Sequence, residues 1–248
     1  AGPDPISQNP PRNTSLYLIQ ADGSQLTPLT NAPGGDFEPA WSPDGSRIAF
    51  TSFRDGSMQI YSLNLADQSV TRLTNLGSGV EARQAAWSPD SAEIVFTVRR
   101  VGIFQVWLMS ASGADASQLI RSGQDYWDYY PTWSKDGSAV IFSQQRAGAP
   151  TNTSWQMNAP FSPAGASVAS RLNLGRLPVK HVVISPDGFW MAFQGEEDTG
   201  NTDIFFLTVT GAQRTRLTSD AGRDFDPAWR PILSGGAPST TSSTPPPP

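Results

Sequence analysis

Three stretches of the chain share one spacing: AWSPDG at 40–45, AWSPDS at 86–91 and TWSKDG at 132–137. Their tryptophans, Trp41, Trp87 and Trp133, stand 46 residues apart each time (87−41 and 133−87). A weaker copy, VISPDG at 183–188, puts Ile184 in the tryptophan slot 51 residues on (184−133), and AWRP places Trp229 45 residues after that (229−184). A period in the forties built from short β-type runs is the signature of radially stacked four-stranded sheets, the blades of a β-propeller.

Aligning the copies on the tryptophan slot brings out the strands. Nine residues later stand Phe50, Phe96, Phe142 and Phe193; seven later stand Ile48, Ile94, Val140 and Met191. Positions two apart share a strand face, so each repeat has a strand with an apolar pair on one side. A further strand carries Tyr17, Tyr61, Trp107, Trp155 or Phe205, whose regular slot predicts packing between blades. The last ends on Leu29, Leu73, Leu119, Leu172 or Leu217. The strands are called A to D in repeat order. W-S-P-D-G forms the tight A-to-B turn: Pro fixes φ, Asp bonds the backbone ahead, and Gly accepts positive φ.

Counting gives five A strands and five C–D pairs, the first pair preceding every A strand. The expectation is an all-β, five-bladed propeller closed by pairing of the N-terminal strands with the last A strand, with six blades as the runner-up. The propeller is expected over 14–234, between an extended tail at 1–13 and a Ser/Thr/Pro-rich tail or linker at 235–248. Only four B strands are clear; PILS at 231–234, the N-terminus or another molecule would have to supply the fifth.

Composition narrows the function. The 248 residues carry a net charge of −5 and a pI near 4.8. No Lys/Arg cluster interleaves with aromatics, which argues against a nucleic-acid partner. No run of about eighteen apolar residues is present, so no membrane insertion is expected. There is no cysteine and a single histidine, His181. No G-x-S-x-G elbow occurs, so no catalytic residue is assigned.

The W-S-P-D-G turn, led by D-x-x-P and followed by I-A-F, resembles the repeat of TolB-type propellers. DFEPAWSPDGSRIAFTS (36–52) and RDFDPAW (223–229) carry the likeness most fully, and KHVVISPDG departs from it. The resemblance runs from about 15 to 231. It implies a propeller fold and is poor for function, since similar blades occur in periplasmic TolB, in prolyl-oligopeptidase-like peptidases and in bacterial surface and sensor proteins. TolB-like propellers tend to have six blades.

Two groups of candidate residues follow. Three positions before the tryptophan slot stand Glu38, Gln84, Tyr130, His181 and Asp226. These are expected at one mouth of the channel as ligand-binding candidates, sharing a strand face with Asp36, Asp128 and Asp224 five positions before. Oxygen ligands of this kind suit hard cations, and the alternative is that the aspartates cap loops by bonding backbone N–H groups. No metal site and no cofactor are assigned. The non-repeating aromatics Tyr126, Trp127, Tyr129 and Trp190 are candidates for an interaction surface. Asn13-Thr14-Ser15 and Asn152-Thr153-Ser154 match the N-glycosylation pattern.

The function expected from these residues is a non-catalytic, extracytoplasmic propeller (extracellular, periplasmic or cell-surface) mediating protein–protein interaction. A self-assembling surface subunit, contacting neighbours through its tails or an open blade edge, is the specific form. The alternatives are a carbohydrate-active hydrolase with a glycan substrate, or a ligand- or Ca²⁺-binding sensor, using carboxylates at the channel mouth.

Overall fold

The computed structural model describes residues 14–20, 22–149, 152–158, 169–172, 178–196, 201–210, 214–219 and 221–229. Two short strands, β1 (Tyr17–Leu18) and β2 (Thr27–Pro28), pair with each other. Four blades follow. The first contains β3 (Asp36–Trp41), β4 (Arg47–Ser52), β5 (Gln59–Asn64) and β6 (Val70–Arg72). The second has β7 (Val80–Trp87), β8 (Glu93–Arg100), β9 (Ile103–Ser110) and β10 (Ser117–Gln118). The third has β11 (Tyr126–Trp133), β12 (Ala139–Arg146), β13 (Asn152–Asn158) and β14 (Ala169–Arg171). The fourth has β15 (Val179–Ile184), β16 (Trp190–Glu196), β17 (Thr202–Thr208) and β18 (Thr215–Arg216). Each blade is an antiparallel A–B–C–D meander, as the repeat predicts.

The turn chemistry is local. Asp44 Oδ1 accepts hydrogen bonds from the backbone N–H of Ser46 at 2.9 Å and from the Ser42 hydroxyl at 2.6 Å. Gly45 takes φ +70°, which L side chains disfavour. The Ser42 and Ser46 bonds stabilise the ionised carboxylate and lower its pKa to about 2. Asp136 repeats the arrangement in the third blade.

Between blades the core is apolar. Phe50, Phe96, Phe142 and Phe193 are buried, each opposite the aromatic of its own C strand: Phe50 faces Tyr61, and Phe193 faces Phe205. The rings stack with centroids 6.0 Å apart in both pairs. The tryptophans join blade to blade. Trp87 Nε1 donates to the carbonyl of Ala40 at 3.1 Å, and Trp133 Nε1 to that of Ala86 at 3.2 Å. In each case the indole of one blade reaches the residue just before the tryptophan slot of the preceding blade.

Trp229 repeats this contact on the fourth blade, donating from Nε1 to Val183 O at 3.1 Å. The Asp224 N–H donates to Thr202 O at 2.7 Å, as Ala82 N–H does to Met58 O at 2.9 Å. Residues 224–229 therefore make on the fourth blade the contacts that β7 makes on the first.

The expected closing sheet is not seen among the described residues. β1 and β2 form a two-stranded sheet, and 224–229 join no sheet. The reason lies in the order of the complete blades: A bonds only to B, and C only to B and D. With no B strand after 224–229 among the described residues, the last A strand has no ladder there to offer the first C strand. PILS at 231–234 lies outside the described residues. The packing aromatic expected at Tyr17 is 56% exposed, whereas Tyr61 and Phe205 are 3% and 2% exposed.

Candidate functional site

The A strands of successive blades lie side by side. Each of the four has a register shift that spans the slots three and two residues before the tryptophan position: between Phe37 and Ala40, Arg83 and Ala86, Tyr129 and Thr132, and Lys180 and Val183. Two residues there oppose one on strand B, which is a β-bulge. The residue three before the slot takes positive φ every time: Glu38 +53°, Gln84 +57°, Tyr130 +50°, His181 +49° and Asp226 +55°. Five non-glycine residues in this sparsely used region mark a repeated, costly feature. Pro39 and Pro131 occupy the next, unpaired position, where a missing N–H forfeits no ladder bond.

The bulge turns Glu38, Gln84, Tyr130 and His181 towards the next A strand in the series. Glu38 Oε2 accepts from Gln84 N–H at 3.1 Å, and Gln84 Oε1 accepts from Tyr130 N–H at 3.1 Å. The Tyr130 ring stacks on His181 at 4.6 Å, and His181 Nδ1 lies 3.0 Å from Asp226 Oδ1. Strand B supports the chain from behind: the hydroxyls of Thr51 and Thr97 donate to Glu38 and Gln84, and Ser143 Oγ accepts from His181 N–H. The five candidates from the sequence are thus brought into one row that passes contacts from blade to blade.

Glu38 is saturated. Its Oε1 receives Arg83 Nη2 at 2.6 Å and Nε at 3.2 Å, while Oε2 takes Thr51 and Gln84. The Arg83 side chain is 4% exposed and that of Glu38 11%. Sequence reasoning missed Arg83; the signal available was an arginine in a slot otherwise held by Phe37, Tyr129, Lys180 and Phe225. His181 meets Asp226, yet no hydroxyl contacts its imidazole among the described residues, and Ser143 engages only its backbone. No group of three or more His, Cys, Asp and Glu that would hold a metal ion occurs among the described residues.

The aspartates five residues before the slot do not join this row, because the bulge breaks the alternation that would have placed them on its face. Asp36 pairs with Arg54 at 3.0 Å, and Asp128 accepts from Gln144 Nε2 at 2.8 Å, each within its own blade. Asp224 Oδ2 is buried with no partner.

Burial pushes the Asp128 carboxyl up to about 6 against the opposing bonds from Gln144 and Ser122. A carboxyl raised in the fold favours its neutral form. Its ionisation therefore costs stability above pH 6, and that cost disappears as pH falls below the unfolded value near 4. A shift of about two units corresponds to about 3 kcal/mol. Asp128→Asn should raise the melting temperature over wild type at pH 8, with the gap closing at pH 4.5; equal gaps at both would contradict the assignment.

The aromatic candidates separate. Tyr126, Trp127 and Tyr129 lie at the start of β11, beside the B–C turn of the second blade. Phe104 meets Trp127 edge-on at 6.2 Å and Tyr129 at 6.1 Å, and Tyr129 continues to Tyr130 at 5.5 Å. The adjacent hairpin tip holds Val101, 92% exposed at φ +50°, a position the sequence reading did not select. Trp190 lies at the opposite end of the strands, beside the A–B turn of the fourth blade, where it meets Phe206.

Comparison with known proteins agrees with this architecture. The Tol-Pal system protein TolB of Bordetella pertussis is 43% identical over 53 residues, which are 21% of this chain and 12% of that protein. TolB from Acinetobacter baumannii superposes with a TM-score of 0.69 at 22% identity, over 82% of this chain and 48% of that one. A putative TolB from Agrobacterium tumefaciens gives 0.69 at 22% identity, over 86% and 73%. The chain thus spans about half the length of the first of these structures and matches about an eighth of the curated relative. The sequence pattern of the TolB beta propeller domain matches residues 6–164, more than half of the chain, and the chain belongs to that family.

Proposed function

We propose that this propeller is a non-catalytic protein-interaction module working outside the cytoplasm, and that its repeats make a five-bladed ring. The observation that carries the first part is the saturation of Glu38. A general acid or base must exchange a proton with substrate, and both oxygens of Glu38 are held by Arg83, Thr51 and Gln84. That removes half of the carboxylate pair on which the hydrolase alternative rests. Likeness to the Tol-Pal system protein TolB of Bordetella pertussis favours a protein partner. The surface best suited to one is the edge formed by Val101, Phe104, Trp127 and Tyr129, where apolar groups stand at a loop tip on a rigid scaffold.

The ring is supported by Trp229, which sets the fifth A strand on the fourth blade through the contact used inside the array. β1 and β2 meanwhile supply C and D strands that pack on the first blade through Leu16 and Leu29.

A photoreactive amino acid at position 101, introduced in the native host, should yield a discrete protein adduct that Trp127→Ser diminishes. Absence of any adduct, together with glycan turnover that Asp226→Asn abolishes, would overturn the reading in favour of the hydrolase.

A further inference from the structure

At the end where strand B turns into strand C, the second and third blades run further than the first and fourth among the described residues. β7 and β11 begin seven residues before the tryptophan slot, at Val80 and Tyr126, whereas β3 and β15 begin five before it, at Asp36 and Val179. Each longer A–B pair therefore gains two rungs. Val80 stands opposite Arg100 and Glu81 opposite Arg99 in the second blade; Tyr126 stands opposite Arg146 and Trp127 opposite Gln145 in the third. Ile103 and Phe104 continue the ladder into β9. We propose that this ledge docks an acidic segment of a partner protein, with carboxylates on either side of an apolar anchor. The proposal rests on the protein-interaction reading of this edge and adds the chemistry of what it binds.

Charge sets these rungs apart. Their ionised side chains are Arg99, Arg100 and Arg146 against Glu81, a balance of +2 (3−1) on a chain whose net charge is −5. The loop leading into β11 adds one of each sign, Arg121 and Asp125. Glu81 is engaged by Arg99, whose Nη1 lies 3.2 Å from both carboxylate oxygens and whose guanidinium lies over Phe104. Arg100 and Arg146 hold the same slot, four residues after Phe96 and Phe142. Both are exposed and make no ion pair among the described residues. By contrast, in the first blade Arg54 is paired with Asp36 and Arg72 with Asp55, and in the fourth Arg216 is paired with Asp203. Two guanidinium groups without counter-charge suit carboxylates, which the arginine fork grips through two parallel hydrogen bonds.

A second observation marks the same place. The β8–β9 hairpin closes through Val101 and Gly102, both with positive φ, at +50° and +76°. Turns of this kind take Asn, Asp or Gly at the first position, and a β-branched residue there is strained. Val101 is 92% exposed, so no packing within the chain offsets that cost. Its apolar side chain gains burial only from a partner.

The hairpin tip also separates one kind of polyanion from another. A polysaccharide or nucleic-acid strand would neutralise the arginines and leave Val101 uncovered. A polypeptide can set an aliphatic or aromatic side chain against Val101 and Phe104 while its carboxylates meet Arg100 and Arg146. Adjacent sheets pack about 10 Å apart and an extended chain rises about 3.3 Å per residue, so those carboxylates would stand about three residues apart. No single stretch of the sequence carries this pattern; the register of two blades assembles it.

The test compares the full chain bearing the photoreactive residue at position 101 with the same chain carrying Arg100→Glu and Arg146→Glu, both in the native host. Equal melting temperatures are expected, since both arginines are exposed and outside ion pairs. The adduct peptide, sequenced by mass spectrometry, should be a protein segment with at least two Asp or Glu residues beside the cross-linked position. Its yield should fall at least about tenfold on charge reversal, and by less in the neutral pair Arg100→Gln with Arg146→Gln. A neutral or basic adduct segment, or a yield indifferent to both pairs, overturns the acidic partner and leaves the protein-interaction edge standing. An adduct with polysaccharide or nucleic acid, or no adduct in any background, overturns the two together.

Discussion

Glu38→Ala should destabilise the protein by about 3–5 kcal/mol, because it leaves the Arg83 guanidinium buried without its counter-charge. The loss is expected to exceed that from an exposed ion pair such as Arg72–Asp55, worth at most about 1 kcal/mol. The double variant Glu38→Gln with Arg83→Met should recover most of it. Glutamine already occupies the equivalent slot at Gln84 with positive φ and accepts from the following blade and from Thr97. Methionine removes the charge that needs a partner. Denaturant midpoints of the three proteins decide the matter: a single variant as stable as wild type would show that Arg83 reaches water or another acceptor at little cost. The pair also joins the first blade to the second, so the loss should be felt as weaker coupling between them.

Phe96→Ala should cost about as much, roughly 3–5 kcal/mol, for a different reason. Phe96 has no exposure and sits in the core between the first and second blades with Ala49, Ile60, Leu73, Trp87 and Ile94. Its removal loses apolar burial and leaves a cavity that two pinned sheets cannot collapse into. Because neighbouring blades carry the stability between them, hydrogen exchange should rise first in β4, β5, β7 and β8. A uniform rise across all four blades, or a loss below about 1 kcal/mol, would contradict the packing described.

What the sequence revealed, and what it concealed, follows from which features repeat as residue types. The phenylalanine slot and the W-S-P-D-G turn recur as letters, and each has the predicted structure: Phe50, Phe96, Phe142 and Phe193 are buried, and Asp44 and Asp136 bond the backbone ahead. The bulge recurs only as a backbone conformation. Glu38, Gln84, Tyr130, His181 and Asp226 share no side-chain type and include no glycine to announce positive φ. The prolines that follow three of them, Pro39, Pro131 and Pro227, were the available clue, since proline inside a paired strand is costly. Reading strict alternation through that point placed Asp36 and Asp128 on the wrong face. Trp190 was grouped with Tyr126, Trp127 and Tyr129 by composition, and only the hairpin order shows that it lies at the other end of the blades.

The seam was the least legible part. Counting strands shows that a fifth B strand is unaccounted for, and the ladder runs A to B to C, so among the described residues it stops at 224–229. Trp41 is 42% exposed and Leu217 65%, against 6% for Trp87 and 8% for Leu73, whose slots are covered by a neighbouring blade. In a five-bladed ring the Trp41 indole would donate to the carbonyl of Ala228, completing the series made by Trp87, Trp133 and Trp229.

Distances between spin labels on the C–D turns test that ring directly, since the cysteine-free chain lets each pair be introduced cleanly. Ala66 and Ser112 occupy equivalent exposed turn positions in the first and second blades, and Asp22 and Thr210 occupy them on either side of the seam. If five blades close the circle, Asp22→Cys with Thr210→Cys should give the same distance as Ala66→Cys with Ser112→Cys. A markedly longer distance across the seam would contradict it.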